Sequence, residues 1–408
     1  MNSQPAPTES KEYGLRPTIL FVSYTAEWTG PTLDLMPLLR HLKNYFEVAV
    51  VLPDDGGFSE TLQQEGMPVI SFPSLDRRSI PALYRLITDG GYELVYGNNT
   101  SGSSRNALIA ARLGRVPFIC HARGMAQRGQ WRKYWFLRLA HAVIAVSEAC
   151  AGSVVGYAGR KRLHVVPSGV DLEDLQRHES TGIEAGENAP PVGVPPGVPI
   201  VLSLAHLRPL KGQHYAVEAM ARVVRDVPSA HLLLVGAERD RKYVARIEDR
   251  IRELGLVEHI SLLGFRRDIF RLLRAADLFL HTSTSEGQGL AVLEAMAAGL
   301  PVVAFGIDGV AESVQHGSTG ILCPLGDTEG VARAVTAFLS DDSLRRRFGE
   351  RGRLLVNERF SSAESVARIE RIIEDTLARA GSAMSSLRSG DHGLATAGKV
   401  ARSTDDER

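Results

Sequence analysis

Two doubly wound α/β domains facing one another across a cleft are what this sequence predicts, and three observations predict them. Its 408 residues exceed what one hydrophobic core usually serves. Short β-branched runs alternate with helical patterns, and the runs are continuously apolar, as strands of a parallel sheet covered on both faces are. A Pro/Gly-rich break without hydrophobic periodicity, STGIEAGENAPPVGVPPGV at 180–198, divides the series in two.

Each element follows in order. Residues 1–16 are polar and read as a flexible segment, with no apolar stretch of signal-peptide type. The first domain, 17–179, opens with the strand TILFVSY (18–24) and the amphipathic LDLMPLLRHLKNY. The strands FEVAVVLP, ELVYGNN, VPFICHA, AVIAVSE and LHVVPSG come next. After the linker at 180–198, the second domain, 199–357, supplies PIVLSLAHL, HLLLVGA, ISLLGF, LFLHTS and PVVAFG with helices between them. SSAESVARIERIIEDTLARAG makes 358–381 a closing helical segment, and 382–408 is polar, aperiodic and expected to be disordered.

Composition narrows the class. Lys+Arg and Asp+Glu both total 47, and this zero net charge argues against a dedicated nucleic-acid binder. Cys120, Cys150 and Cys323 are widely spaced, form no metal-ligand pattern and read as reduced thiols of a cytoplasmic protein. No run reaches the ~18 uncharged apolar residues of a membrane span. The expectation is a cytoplasmic protein, with peripheral contact at the inner membrane face left open by RGMAQRGQWRKYWFLR (123–138), which mixes cations with aromatics. An ordinary amphipathic helix with its aromatics packed inward is the stronger reading of that stretch.

The chemistry concentrates in EGQGLAVLEAMAAG (286–299), between the strand DLFLHTS and the strand LPVVAF. Gly287 and Gly289 allow close backbone approach, and the free N–H groups of the helix start favour an anion such as a diphosphate. Glu286 precedes those amides and Glu294 follows them, seven residues intervening. Carboxylates accept hydrogen bonds only, so both suit sugar hydroxyls. Taken alone, the pattern fits an ordinary strand–Gly–helix turn as well as a nucleotide-sugar site, and Val292 breaks the G-x-G-x-x-G fingerprint.

The segments SLAHLRPLKGQHYAVEAM, LLLVGAERD, ISLLGF, AADLFLHTSTSEGQGLAVLEAMAAGLPVVAF and GVAESVQHGSTGILCPLGD, with the weaker VIAVSEA and VVPSGVDLE, resemble the retaining glycosyltransferases of the GT-B fold, group 1 or family 4. Glu286 and Glu294 match that family's Glu-x7-Glu signature. The resemblance implies a nucleotide-sugar donor (UDP- or GDP-sugar), a hydroxyl acceptor, retention of configuration, polysaccharide biosynthesis, no required cofactor and no catalytic metal. It assigns Glu286 to the transferred sugar, Glu294 to the ribose, the amides of Gly289 and Leu290 to the diphosphate, and Gly264 and Phe265 to the base. Lys211 would neutralise the leaving diphosphate, His121 would be the active-site histidine, and Gly30 would lie near the diphosphate. The closing helix would cross back to the first domain.

Two positions depart from the family. His206 stands where an arginine is usual, with Arg208 two residues on, and Gln288 stands where an aromatic is common. Asn98, Asn99 and Arg123 are acceptor-side candidates, although turn formation explains the asparagines equally well. Two alternatives stay open: a sugar-nucleotide epimerase of the same fold, and a non-catalytic nucleotide-sugar binder.

Overall fold

The computed structural model describes residues 16–127, 129–170, 194 and 197–391. Most of the proposed linker, nearly all of segment 1–16 and residues 392–408 therefore lie outside the described residues. The first sheet comprises β1 (Thr18–Val22), β2 (Glu47–Leu52), β3 (Val69–Ser71), β4 (Leu94–Gly97), β5 (Phe118–Ala122), β6 (Ala142–Ala145) and β7 (Leu163–Val165). Its spatial order is β3-β2-β1-β4-β5-β6-β7, parallel throughout, with Ile19 facing Val48 on one side and Leu94 on the other. The second sheet comprises β8 (Ile200–Leu204), β9 (His231–Val235), β10 (Ile260–Gly264), β11 (Leu278–His281), β12 (Val302–Phe305) and β13 (Gly320–Cys323), ordered β10-β9-β8-β11-β12-β13.

Both sheets are Rossmann-like α/β layers. Each reverses direction beside its first strand, at β1/β4 and at β8/β11, and the crevice at such a reversal is where open α/β sheets hold ligands. β3 and β13 are additions to the sequence reading. The former is only three residues long and incompletely buried, too short for its pattern to stand out.

Each sheet is sandwiched between two apolar layers. The last helix, Ser362–Asp391, runs ten residues past the expected end at 381 and starts on the second domain's side. Its Val366, Ile369 and Ile373 are nevertheless buried in the first domain against the helix Gly30–Leu42. Burial of that kind stabilises by about 2 kcal/mol per side chain. His41 Nε2 and Glu370 Oε2 meet at 2.9 Å on the same contact.

The two chain crossings run together at the base of the cleft. Val170 donates its N–H to Phe360 O at 2.8 Å, and Ser362 donates to Val170 O at 3.0 Å. Gly169 is required there, since a Cβ would lie 2.4 Å from Ser361 backbone atoms. A carboxylate from the second domain closes the interface further out. Glu312 accepts from the amides of Glu148 (2.8 Å) and Ala149 (2.6 Å), the first turn of the helix Glu148–Ala158, where an anion is favoured.

Candidate active site

The helix Leu290–Ala297 begins where β11 has ended and a loop has turned back toward the cleft. Gly289 caps it at φ +88°, a left-handed conformation that a side chain would strain. Asp308 fixes the loop by accepting from Glu286 N–H at 3.0 Å and Ser285 Oγ at 2.9 Å. A Cβ on Gly309 would lie 2.1 Å from Gly287 O, and one on Gly287 would lie 2.4 Å from Arg123 O of the other domain. The glycines are thus places where one backbone passes against another. Among the described residues, the amides of Gly289 and Leu290 have no protein acceptor, which leaves the helix start open to an anion.

A cleft of about 1090 Å³ lies in front of this helix, with walls from both domains. Glu286 is its most constrained acid. The carboxylate pairs with Lys211 Nζ, accepts from Ser283 Oγ at 2.8 Å and lies 3.2 Å from His281 Nε2. Burial pushes its pKa up, but the charge and hydrogen bond of Lys211 and the nearby His281 ring outweigh that and hold it far below the usual carboxylate range. Glu286 is ionised, and Lys211 is anchored rather than solvated. Glu294 contrasts with it. It faces the same cleft without a charged partner, and burial raises it to about 7.

Cations gather on the second domain's wall: Arg208, Lys211, Arg239 and Arg266 all line the cleft. Among them His206 is held down to about 4, first by burial and then by Arg239, Arg208 and Lys211. It is therefore neutral and does not replace the missing arginine charge; exposed Arg208 and Arg239 supply positive charge instead. Phe265 is half exposed in the cleft. Gly264 does not line it; its φ of +63° makes the turn that presents Phe265, and its carbonyl accepts from Gly236 N–H at 2.8 Å.

The first domain places His121 deeper than its sequence position suggests. β5 extends through Ala122, so His121 lies inside the sheet and not at its cleft edge. It is 1% exposed, its Nδ1 lies 2.6 Å from Tyr96 Oη, its Nε2 is buried with no partner, and burial lowers it to about 3. Arg123, one strand repeat further along the same face, and Gly124 are the residues of HARG that line the cleft. The Arg123 guanidinium pairs with Asp34 and donates Nε–H to Asn98 Oδ1 at 2.7 Å, while Nη2 is buried with no partner. Burial brings this arginine down to about 9, still protonated at neutral pH.

Asn98 and Asn99 do not themselves line the cleft, although Asn98 holds Arg123 there. Asn98 spends its amide on Pro31 O, and Asn99 Oδ1 accepts from Ser101 N–H at 2.8 Å and Ser104 Oγ at 3.0 Å, which is turn chemistry. Gly30 lines the cleft, and a Cβ there would meet nothing within 4 Å, so the space it leaves is open. Gln288 now has a reason. Its Oε1 accepts from Ser168 N–H at 2.7 Å and its Nε2 donates to Ser168 O at 3.1 Å, clasping the other domain's backbone as a strand neighbour would. Ser147 Oγ adds a bond to Gly287 O at 2.5 Å.

Sequence reasoning missed Arg239, Asp308, Ser283 and His281. Arg239 follows the C-terminal end of β9 in GAERD, and the rule that ligands sit at those ends would have found it. Asp308, with φ +39°, sits in a turn, and nothing in its surroundings in sequence links it to a loop 22 residues earlier.

The sequence matches the family described as Glycosyl transferases group 1 over residues 186–355 and that described as Glycosyltransferase Family 4 over 35–174. It is 37% identical to N-acetyl-alpha-D-glucosaminyl L-malate synthase of Bacillus anthracis over 45% of this chain and 48% of that protein. It is 25% identical to UDP-Gal:alpha-D-GlcNAc-diphosphoundecaprenol alpha-1,3-galactosyltransferase of Escherichia coli, over 84% of this chain and 96% of that one. The first of the curated relatives are matched over only about half their own length. The fold superposes on Anabaena HepE in complex with UDP and glucose at a TM-score of 0.75 and 26% identity, covering 87% of this chain and 99% of that one.

Proposed function

Since the chain belongs to the group 1, family 4 glycosyltransferases of the GT-B fold, we propose that it transfers a hexose-type sugar from a UDP- or GDP-sugar to a hydroxyl acceptor with retention of configuration. The observation that carries the reading is the ionised Glu286–Lys211 pair in front of an open helix start. In this reading the diphosphate lies against the amides of Gly289 and Leu290, between Lys211, Arg208 and Arg239. Glu286 accepts hydroxyls of the transferred sugar, and Glu294 accepts the ribose hydroxyls. As the glycosidic bond breaks, positive charge grows on the sugar and negative charge on the diphosphate. Fixed cations and backbone dipoles stabilise that separation more in the transition state than in the ground state. The unpartnered Nη2 of Arg123 is a group we assign to the sugar or acceptor, beside the equally unpartnered Nε2 of His121.

The acceptor wall supports a neutral, hydroxyl-rich acceptor. Tyr24, Trp28 and Leu33 line it beside Glu60, Thr61 and Gln64. Aromatic and aliphatic surface next to uncharged or acidic hydrogen-bonding groups suits a sugar ring better than an anionic acceptor. The test is UDP release from UDP-glucose, UDP-galactose or UDP-N-acetylglucosamine, or GDP release from GDP-mannose, with and without methyl glycosides as acceptors. Glu286→Ala and Lys211→Ala should each lower transfer by about 10²–10³, the usual loss for one transition-state electrostatic contact. Wild-type turnover in both variants would place the chemistry elsewhere, and sugar epimerisation without acceptor would replace transfer with the epimerase reading.

A further inference from the structure

The helix Gly30–Leu42 carries a single acid, Asp34, and does not turn it to solvent. The side chain is 9% exposed, and its Oδ2 both pairs with Arg123 Nη1 and accepts from Ser168 Oγ at 2.9 Å. An amphipathic helix ordinarily sends its charged residues outward. Drawing a carboxylate and a guanidinium out of water costs about as much as their attraction returns, and an apolar pair of the same volume would pack as well. Stability therefore does not account for this ion pair.

The same helix holds Arg123 at two points. Asp34 takes Nη1. Pro31 O accepts from Asn98 Nδ2 at 3.1 Å, which turns Asn98 Oδ1 onto Arg123 Nε at 2.7 Å. A guanidinium is planar, so two held nitrogens set its plane and the direction of the third. That third nitrogen, Nη2, is buried without a partner, on a side chain that is 5% exposed and lines the cleft. With the charge balanced by Asp34, its free N–H suits an uncharged oxygen such as a sugar hydroxyl better than an anion, which the carboxylate would repel. The second domain joins the grip, since Gln288 bonds both the N–H and the C=O of Ser168, and Ser168 Oγ holds Asp34.

We propose that Asp34 is a positioning residue for the transfer: it locks the Arg123 fork so that Nη2 is presented to the sugar or acceptor, and through Ser168 it does so when the second domain is seated. The inference rests on the transfer reading above. Asp34 does not line the cleft itself, so it acts through Arg123, and its removal should slow turnover without weakening donor binding.

The test is kcat and donor KM from nucleotide release with UDP-glucose, UDP-galactose, UDP-N-acetylglucosamine and GDP-mannose, methyl glycosides being the acceptors. Asp34→Asn keeps the shape and an acceptor for Ser168 but removes the charge. It should lower kcat about a hundredfold, the cost of roughly 1 Å of misplacement, with donor KM within about twofold. Arg123→Gln should lose as much, and Asp34→Asn/Arg123→Gln no more than Arg123→Gln alone, as two residues acting as one unit do. Arg123→Lys keeps the charge without the fork and should not restore kcat. Ser168→Ala should lower kcat about fivefold at constant donor KM. Should Asp34→Asn fail to melt cooperatively, Ser168→Ala and the double variant decide, since one keeps the ion pair and the other removes both charges. Wild-type kcat in Asp34→Asn, Arg123→Lys or Ser168→Ala overturns the proposal. So does a loss carried by donor KM, or a double variant far below Arg123→Gln, either of which leaves Asp34 a structural acid. A wild-type protein that releases no nucleotide from any of the four donors removes the transfer reading and this role with it, a result seen before any substitution is made.

Discussion

Glu294→Gln should make the ligand-free protein more stable at pH 8 while leaving it nearly unchanged at pH 4. The wild-type carboxyl titrates at about 7 in the folded chain against 4.5 ordinarily, because burial disfavours its charge. Raised in the folded state, it is fully compatible with folding below 4.5, and stability is lost as pH rises from there through about 7. A shift of that size corresponds to at most roughly 3 kcal/mol, and about half is a fair expectation for a side chain partly open to the cleft. Glutamine keeps the shape without the charge, so the difference between the two proteins isolates this group from every other titration. Thermal melts across the range should show curves that coincide at low pH, separate between about 4.5 and 7 and stay a constant distance apart above that, by about 2–4 °C per kcal/mol for a domain of roughly 200 residues. Donor binding runs the other way. Ribose hydroxyls donate to the ionised form, so the wild type should gain UDP affinity as pH rises through 7, and the variant should show no such rise. Melting differences that stay constant from pH 4 to 8 would refute the reasoning.

His121→Ala should cost about 1–3 kcal/mol, because Tyr96 loses its buried partner, yet leave turnover within a few-fold. A fall of a hundredfold or more in a variant that still melts cooperatively would return His121 to the catalytic machinery. Its folded titration near 3 also predicts that the substitution leaves the pH–rate profile between 5 and 8 unmoved. Gln288→Ala removes both bonds to Ser168, and hydrogen exchange at the Ser168 amide should accelerate by roughly tenfold or more. Exchange at the wild-type rate would mean that the clasp does not hold the domains.

Periodicity was enough to read the two α/β layers, since continuous apolar runs admit few other burials. It failed where length or distance removes the signal. The strand VIS is too short to show a pattern, and the helix end at Asp391 lies past a polar stretch that composition reads as disorder. At the site, Glu286, Lys211 and the Gly289 turn were legible because one short segment and one loop build them. His121 lies deeper than the sequence suggests because sequence marks where an apolar run ends, whereas backbone pairing decides where a strand does. β6 pairs with β5 through Ala122, keeping His121 inside the sheet and delivering Arg123 to the edge.

Gln288 shows why a departure from a family pattern need not weaken a site. Read alone, it is a polar residue in place of an aromatic beside the phosphate-binding turn. In the fold it is 5% exposed, and both its amide atoms are bonded to a single residue of the opposite domain. Gly287 touches Arg123 from the same turn, and Ser147 donates to Gly287 O. The loop proposed to meet the donor is therefore also the loop that meets the other domain. On the proposed reading, motion of the two layers would move the amides of Gly289 and Leu290 relative to Arg123, so donor binding and domain closure would be coupled by covalent adjacency, over a single residue, with no longer pathway.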